Sequence, residues 1–482
     1  MRELTNHALS RLISSPHRPL ASPPSPLVSP PSFVPRLFGA PLTGFCPFSF
    51  ARVFFKRTRL DDFSILLDYF TKKCDRKNLH CTKGFGIMKM KNYGKGDTTM
   101  SLTYIVNGKI ITPDAVLEGK ALAFDTETGK IAAIVDCAPE GASTIDAAGN
   151  YVAPGLVDVH IHGYLGEDTS DAKPEGIKKM AYGVAKNGVT SFLPTTMTVS
   201  MPEIIAALNA VRSLKEESKT WDGAEIIGVH AEGPFINPSK KGAQAEENIL
   251  APDADFILEN ADIITSVTLA PEMDKDHAAI KKIAANSNVL ISMGHTGADF
   301  DEAMSAARDG VNHATHLFNA MTPLAHRNPG VVGAALASEN VSVELIADTF
   351  HINPGLYSII AKVKGRKMVL ITDCTRAGGM PDGEYDLGGQ PIFLKGIECR
   401  LADGTIAGSV LKLNSAVKNV LDHTNIPVNE VFNMASLNAA SAIHEDGRIG
   451  SLEVGKDADI IITDENINIL RTIKKGRTIY VA

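Results

Sequence analysis

The stretch PGLVDVHIHG, residues 154–163, places His160 and His162 two positions apart at the end of an apolar run. Side chains at positions i and i+2 of a β-strand point to the same face of a sheet. The pair would therefore aim two imidazoles in one direction at the point where a buried strand ends. Because imidazole nitrogens are common metal ligands, this spacing predicts two ligands of a metal site.

Other imidazoles and carboxylates stand at corresponding places in later apolar runs. They are Glu232 in EIIGVHAEG, His295 in NVLISMGHT, His316 in HATHLF and Asp373 in MVLITDCT. A single histidine at a strand end is more often a hydrogen-bonded structural residue than a ligand. Six nitrogen and oxygen donors without a thiolate, each at the end of an apolar run, instead indicate a site for zinc, iron or manganese.

These residues belong to eight apolar runs or follow them closely, and a helical pattern comes after most of the runs. The predicted strands are residues 157–162, 190–196, 225–233, 265–272, 288–296, 313–318, 342–351 and 368–375. This alternation predicts a (β/α)8 TIM-type barrel, in which catalytic groups lie at the C-terminal ends of the strands. The alternative is a doubly wound open sheet, but no glycine-rich phosphate loop follows the first strand.

The two ends of the chain differ from the middle. Short β-branched runs with turn signals predict a small β-sandwich domain built from residues 100–152 and 448–482, around a catalytic barrel of residues 153–447. Residues 1–99 are rich in Pro and Ser and are basic. This composition indicates a disordered tail, a targeting segment or an overextended gene model.

Charge and cysteine content exclude several classes of function. Residues 1–100 hold 16 Lys and Arg against 6 Asp and Glu, a net charge of +10. The whole chain has a net charge of −7, so residues 101–482 have a net charge of −17. An acidic main body argues against a nucleic-acid partner. No run approaches the roughly 18 apolar residues of a membrane span. Six cysteines without a CxxC pair favour reduced thiols and a cytoplasmic protein.

Several motifs together resemble the amidohydrolase superfamily. They are PGLVDVHIHG, HAEGPF at 230–235, MGHT at 293–296, ATHLFNAM at 314–321 and ITDCT at 371–375. HAEGPF and THLFNAM, with Pro-Gly at 329–330, resemble the N-acetylglucosamine-6-phosphate deacetylases of that superfamily. The resemblance covers residues 102–482 and implies hydrolysis of the acetyl group of a phosphorylated amino sugar.

The resemblance also implies which residues hold metal. Glu232, His295 and His316 resemble the principal ligands, and His160, His162 and Asp373 would hold a second ion, with Glu232 as a candidate bridge. Some members of the family have Gln and Asn at the two histidine positions and use one metal, so one or two ions per subunit are expected. Asp373 resembles the catalytic carboxylate, which takes a proton from water and delivers it to the departing amine.

Substrate contacts are implied in the same way. The residues that match the family are Ala243, Gln244, Asn319, Ala320, Arg327, His351, Ile406, Ala407 and Gly408. Some members have His where Gln244 stands, which leaves open the side chain that polarises the carbonyl. Arg327 matches an arginine that binds phosphate in the neighbouring subunit, so a homodimer is expected; the alternative is a solvated loop charge. His313, His326 and His423 are expected to be structural.

Three functions fit this sequence. The first is deacetylation of N-acetylglucosamine 6-phosphate. The second is another amidohydrolase activity, such as N-acetylgalactosamine-6-phosphate deacetylation, or hydrolysis of a cyclic amide or a dipeptide, which commonly uses a carboxylated lysine at a strand end. No lysine stands at the ends of the third or fourth strand. The third is an inactive scaffold of the same fold, but no candidate ligand is missing.

Overall fold

A small sheet begins the part of the chain that the computed structural model describes, residues 101–482. Its first strands are β1 (Leu102–Ile111), β2 (Val116–Asp125), β3 (Lys130–Val135), β4 (Ser143–Asp146) and β5 (Tyr151–Pro154). β1 pairs antiparallel with β2 and parallel with β4 and β5. The predicted extension of residues 1–99 lies outside the described residues and stays a prediction.

Parallel strands then form a barrel. The first is β6 (Leu156–Ile161), and a short antiparallel hairpin of β7 (Gly163–Tyr164) and β8 (Glu167–Asp168) follows it outside the barrel sheet. The other barrel strands are β9 (Val189–Thr196), β10 (Glu225–Ile226), β11 (Val229–Glu232), β12 (Ile264–Leu269), β13 (Leu290–Met293), β14 (His313–Ala314), β15 (Ser342–Ile346) and β16 (Met368–Ile371). β10 and β11 are two pieces of the third strand, which is interrupted at Ile227 and Gly228. Almost all these residues are buried, as expected of parallel strands covered on both faces.

Backbone hydrogen bonds between the eighth strand and the first close the barrel. The N–H of Asp373 donates to the carbonyl of His160 at 2.8 Å, and the N–H of His162 donates to the carbonyl of Cys374 at 2.9 Å. The other strands pair in sequence order from β9 to β16, and β6 pairs with β9. The predicted (β/α)8 barrel is therefore confirmed, and its closing bonds involve three of the candidate metal ligands.

Helices connect the barrel strands and cover their outer face. Their bounds are α1 (Pro174–Ala185), α2 (Met201–Ser218), α3 (Ala254–Glu259), α4 (Ala278–Asn286), α5 (Phe300–Asp309), α6 (Gly330–Ala337), α7 (Tyr357–Lys364), α8 (Leu413–His423), α9 (Val428–Met434) and α10 (Leu437–Ala442). α2 begins with a capping box: the Glu203 carboxylate accepts hydrogen bonds from the backbone N–H and the hydroxyl of Ser200. No helix of residues 101–482 is long and apolar enough to cross a membrane.

The sixth strand is shorter than the sequence predicts. The prediction of residues 313–318 is wrong, because β14 contains only His313 and Ala314. His316 and Phe318 have φ values of +30° and +79°, which an extended strand does not allow. The N–H of His316 donates to the Glu344 carboxylate at 3.0 Å rather than to a neighbouring strand. The chain thus turns away from the sheet at the position of a candidate ligand.

An additional antiparallel sheet follows the last barrel strand, and the sequence patterns did not indicate it. Its strands are β17 (Gly383–Leu387), β18 (Gln390–Lys395) and β19 (Glu398–Leu401). Phe393 and Ile397 of this sheet remain largely exposed. The sheet leads into residues 405–408, which return the chain to the barrel.

The C-terminal strands complete the small sheet. They are β20 (Ile460–Thr463), β21 (Ile469–Lys474) and β22 (Arg477–Val481), and β20 pairs antiparallel with β5. The two ends of the described chain thus form one β domain beside the barrel, as predicted; its exact boundaries stay a prediction. The buried Lys474 ammonium donates to three backbone carbonyls, those of Ser218, Trp221 and Gly223, at 2.6–2.9 Å, and so fastens this domain to the barrel.

Candidate metal centre and active-site cavity

Three candidate ligands from three strand ends form the first cluster. Glu232 ends β11, and His295 and His316 each follow their strand by two residues. The Nε2 of His316 lies 3.0 Å from Glu232 Oε1 and 3.1 Å from His295 Nε2, and His295 Nε2 lies 3.3 Å from the same oxygen. Ligands at about 2.0–2.1 Å from a tetrahedral ion lie roughly 3.3 Å apart. The spacing of these three atoms therefore fits one ion between them.

A second cluster lies beside the first. The Nε2 atoms of His160 and His162 are 3.4 Å apart, and they lie 3.5 and 3.3 Å from Asp373 Oδ1. Glu232 contacts this cluster too, because its Oε1 lies 3.4 Å from His160 Nε2 and its Oε2 lies 3.2 Å from His162 Nε2. Glu232 is thus the side chain that both clusters share, and the six predicted ligands converge.

The charges in these clusters depend strongly on one another. Burial lowers the pKa of His162, but the Asp373 and Glu232 carboxylates outweigh burial and raise it to about 9. Burial raises the pKa of Asp373, while His160 and His162 outweigh burial and lower it. The buried carboxylates of Glu232 and Asp373 are thus stabilised by positive charge within the two clusters. A divalent cation would supply it in place of protons, since metal ligands bind in their deprotonated forms.

Contacts at Nδ1 define the ring orientation of two of the imidazoles. The Nδ1 of His160 lies 2.9 Å from Glu344 Oε2, and the Nδ1 of His295 lies 2.9 Å from the carbonyl of Lys240. When Nδ1 donates to an oxygen, Nε2 carries the free lone pair that a metal needs. Both rings therefore direct Nε2 into the clusters as ligands require.

A cavity of about 370 Å³ opens onto the two clusters. Candidate ligands of both clusters line this cavity. Seven of the predicted substrate residues line it too: Ala243, Gln244, Asn319, Ala320, His351, Ile406 and Gly408. His351 is held in place by Asp348, whose Oδ2 lies 2.6 Å from Nδ1. A cavity lined by these candidate ligands can hold a small polar substrate against them.

Comparison with known proteins agrees with this geometry. Residues 151–479 match the model of the amidohydrolase family. The chain belongs to this family.

Within this family, the chain is similar to deacetylases of phosphorylated amino sugars. This amidohydrolase is 40% identical to the N-acetylglucosamine-6-phosphate deacetylase of Bacillus subtilis, over 70% of this chain and 86% of that protein. It is 34% identical to the N-acetylgalactosamine-6-phosphate deacetylase of Escherichia coli O157:H7, over 78% and 99%. The crystal structure of N-acetylglucosamine-6-phosphate deacetylase from Pasteurella multocida superposes with a TM-score of 0.75 at 32% identity, covering 79% of this chain and all of that one. The predicted resemblance is therefore confirmed.

Two residues expected to contact substrate do not line the cavity of this amidohydrolase. Ala407 is fully buried beside the lining residues Ile406 and Gly408. Arg327 is exposed, on the segment between β14 and α6, and has no salt bridge among residues 101–482. Arg327 therefore does not reach the cavity of its own chain in this conformation.

Sequence reasoning missed one residue at the centre of the amidohydrolase site. Glu344 lies in the middle of β15 and is 1% exposed. Its carboxylate accepts from the backbone N–H of His316 at 3.0 Å and lies 2.9 Å from His160 Nδ1 and 3.2 Å from His313 Nε2. It thus contacts one residue of each ligand cluster. Its contact with His313 agrees with the expectation that His313 is a structural residue. The available signal was a lone carboxylate within the apolar run SVELI.

Lining residues were missed as well. Met197, Ser239, Lys240, Gly242, Leu387 and Thr405 face the same cavity. Leu387 ends β17 and Thr405 follows β19, so the unpredicted sheet contributes to the site. These positions have no chemical signature in the sequence that separates them from ordinary loop residues.

Proposed function

We propose that this amidohydrolase removes the acetyl group from N-acetyl-D-glucosamine 6-phosphate, giving D-glucosamine 6-phosphate and acetate. The observation that carries the proposal is the position of Asp373, whose carboxylate belongs to the second cluster and lines the cavity. The named relatives, aligned over most of their length, supply the substrate class.

Glu232, His295 and His316 would hold one divalent ion, and His160, His162 and Asp373 a second, as zinc, iron or manganese. Such an ion would supply Lewis-acid chemistry, which favours attack of water on the acetyl carbonyl and stabilises negative charge on its oxygen. The nitrogen-rich donor sets and their spacing of about 3.0–3.5 Å support this assignment.

Asp373 would act as the acid and base. Its carboxylate takes a proton from the attacking water as the new C–O bond forms. When the C–N bond breaks, the same carboxyl group returns the proton to the amine nitrogen of the sugar. Acetate and the free amine leave, and Asp373 is again ionised.

The phosphate of the substrate needs local cations, because residues 101–482 carry a net charge of −17. We propose that Arg327 supplies one of them to the cavity of a neighbouring subunit in a homodimer. Its exposure, away from the cavity of its own chain, supports an action across the subunits. A guanidinium also suits the two-oxygen geometry of a phosphate.

The experiment compares deacetylation of the glucosamine and galactosamine substrates, by release of acetate and of free amine, before and after removal of metal. Turnover that a chelator abolishes and zinc or manganese restores is expected, with a higher kcat/KM for the glucosamine compound. A preference for the galactosamine compound would transfer the proposal to that sugar, as the 34% identical relative allows. No turnover of either sugar phosphate would overturn it. A cytoplasmic location belongs to the same proposal, since Cys374 and Cys399 are free, buried thiols.

A further inference from the structure

Gln244 has both ends of its amide engaged, although it lines the cavity. Its Nε2 donates to Glu232 Oε2 at 2.6 Å, and its Oε1 accepts from the backbone N–H of Thr198 at 2.7 Å. Only 3% of the residue is exposed. The amide is therefore clamped between the backbone of one strand end and the carboxylate that both ligand clusters share.

The two oxygens of Glu232 have different surroundings. Oε1 lies 3.0 and 3.3 Å from the two Nε2 atoms of the first cluster and 3.4 Å from that of His160, whereas Oε2 lies 3.2 Å from His162 and contacts no residue of the first cluster. The terminal torsion of a glutamate side chain is broad, so packing alone does not define which oxygen faces which cluster. A buried, charge-assisted hydrogen bond to one oxygen defines it. The Gln244 amide makes this bond to Oε2 and leaves Oε1 for the first cluster.

We propose that Gln244 is a positioning residue for Glu232: it fixes the rotation of the carboxylate and thereby sets the affinity of the first ion. The inference rests on the proposed metal centre. It assigns Gln244 to the metal ligand rather than to the sugar, where the family resemblance would place it.

The test is the affinity of the protein for zinc alone, measured by competition with a chromophoric chelator and by metal content after dialysis. Gln244→Met keeps the length of the side chain and removes the donor. Loss of such a contact to a ligand lowers metal affinity about 10- to 100-fold. Gln244→His, which retains an N–H donor, is expected to recover part of that loss.

Gln390→Met is the matched control. The Gln390 amide donates to the backbone carbonyl of Ala243 at 2.7 Å, next to Gln244, but it contacts no ligand. The zinc affinity of this variant should stay within about twofold of that of the unchanged protein. Thermal unfolding of the metal-free proteins verifies that each variant is folded. Gln244→Leu, which also lacks a donor, replaces Gln244→Met if that protein does not fold.

Unchanged zinc affinity in folded Gln244→Met or Gln244→Leu, with a raised KM for the sugar phosphate, would overturn the inference and return Gln244 to substrate binding. A different result separates the failure of the proposed function: if the unchanged protein itself binds no zinc, the metal centre is wrong.

Discussion

Replacing Glu344 tests whether one buried carboxylate organises both ligand clusters. Burial raises the pKa of Glu344, but His160 and His313 outweigh burial and hold it well below its usual range, so the group is ionised. Glu344→Leu removes the acceptor of three donors, the N–H of His316 and the facing nitrogens of His160 and His313. Those donors lie in a region without solvent access.

The expected loss follows from the number of donors left without a partner. An unsatisfied buried donor costs about 1–3 kcal/mol. An imidazole can move its proton to the other nitrogen, and His313 has Ser342 Oγ beside its Nδ1, so this ring can be satisfied again. The remaining two donors predict a loss of about 2–6 kcal/mol in the free energy of unfolding. Because His160 also loses its orientation, metal affinity should fall about 10- to 100-fold.

The assay is denaturant unfolding of the metal-free protein together with a zinc titration. Glu344→Gln is the control, since its amide oxygen still accepts a hydrogen bond at nearly the same place. It should lose less than half as much stability as Glu344→Leu. If metal-free Glu344→Leu is as stable as the unchanged protein and binds zinc equally well, Glu344 does not organise the site.

Three further predictions concern other parts of the molecule. Lys474→Met leaves the buried carbonyls of Ser218 and Gly223 without a donor, while the carbonyl of Trp221 still accepts from Arg477, and should lower the free energy of unfolding by about 2–6 kcal/mol, measured by denaturant titration. Burial lowers the pKa of His277, but hydrogen bonds with Asp309 and Glu302 outweigh burial and raise it; its stabilising effect is therefore complete below the unfolded pKa of about 6.5 and is lost as the pH rises through the folded value. His277→Gln should accordingly lower Tm more at pH 6 than at pH 9, and an equal loss at both would contradict this. Arg327→Ala should raise KM steeply for the sugar phosphate and much less for the unphosphorylated sugar, and mixing it with an Asp373→Asn protein should restore activity in heterodimers; equal losses on both sugars would argue against phosphate contact.

The convergence of the six candidate ligands was predictable because the strands of a parallel barrel have a recognisable sequence pattern. Its strands are buried on both faces and appear as continuous apolar runs, so a histidine or carboxylate at the end of such a run stands out. His160, Glu232, His295 and Asp373 all follow this rule. The spacing of His160 and His162 adds that both point to the same side, and their Nε2 atoms are indeed 3.4 Å apart.

Glu344 was not predictable by that rule because it lies within its strand rather than at the end. Only the closed barrel shows that its side chain points inward, toward His160. The length of the sixth strand was predicted wrongly for a related reason. HATHLF has the composition of a strand, but the chain leaves the extended conformation after two residues, and His316 and Phe318 have positive φ values. The hydrogen bond from His316 to Glu344 compensates for that turn, and it joins residues 28 positions apart.

The role of Gln244 was also hidden in the sequence. Its neighbours in KKGAQ carry no hint of the 2.6 Å contact with Glu232, which is 12 positions away and belongs to a different segment. Likewise, the sheet of residues 383–401 has short strands between many glycines, and only its pairing shows that Leu387 lines the cavity. Contacts between separate segments require the fold.

We propose that Asp373 is the acid and base of deacetylation, beside the candidate metal ligands. The most direct measurement is the rate of acetate release from N-acetyl-D-glucosamine 6-phosphate by zinc-loaded Asp373→Asn protein, with substrate binding measured on the same sample. Asparagine keeps the shape of the side chain but cannot take the proton from water or return it to the amine. We predict a kcat several orders of magnitude below that of the unchanged protein, with the sugar phosphate still bound. A kcat close to that of the unchanged protein in the metal-loaded variant would contradict the account.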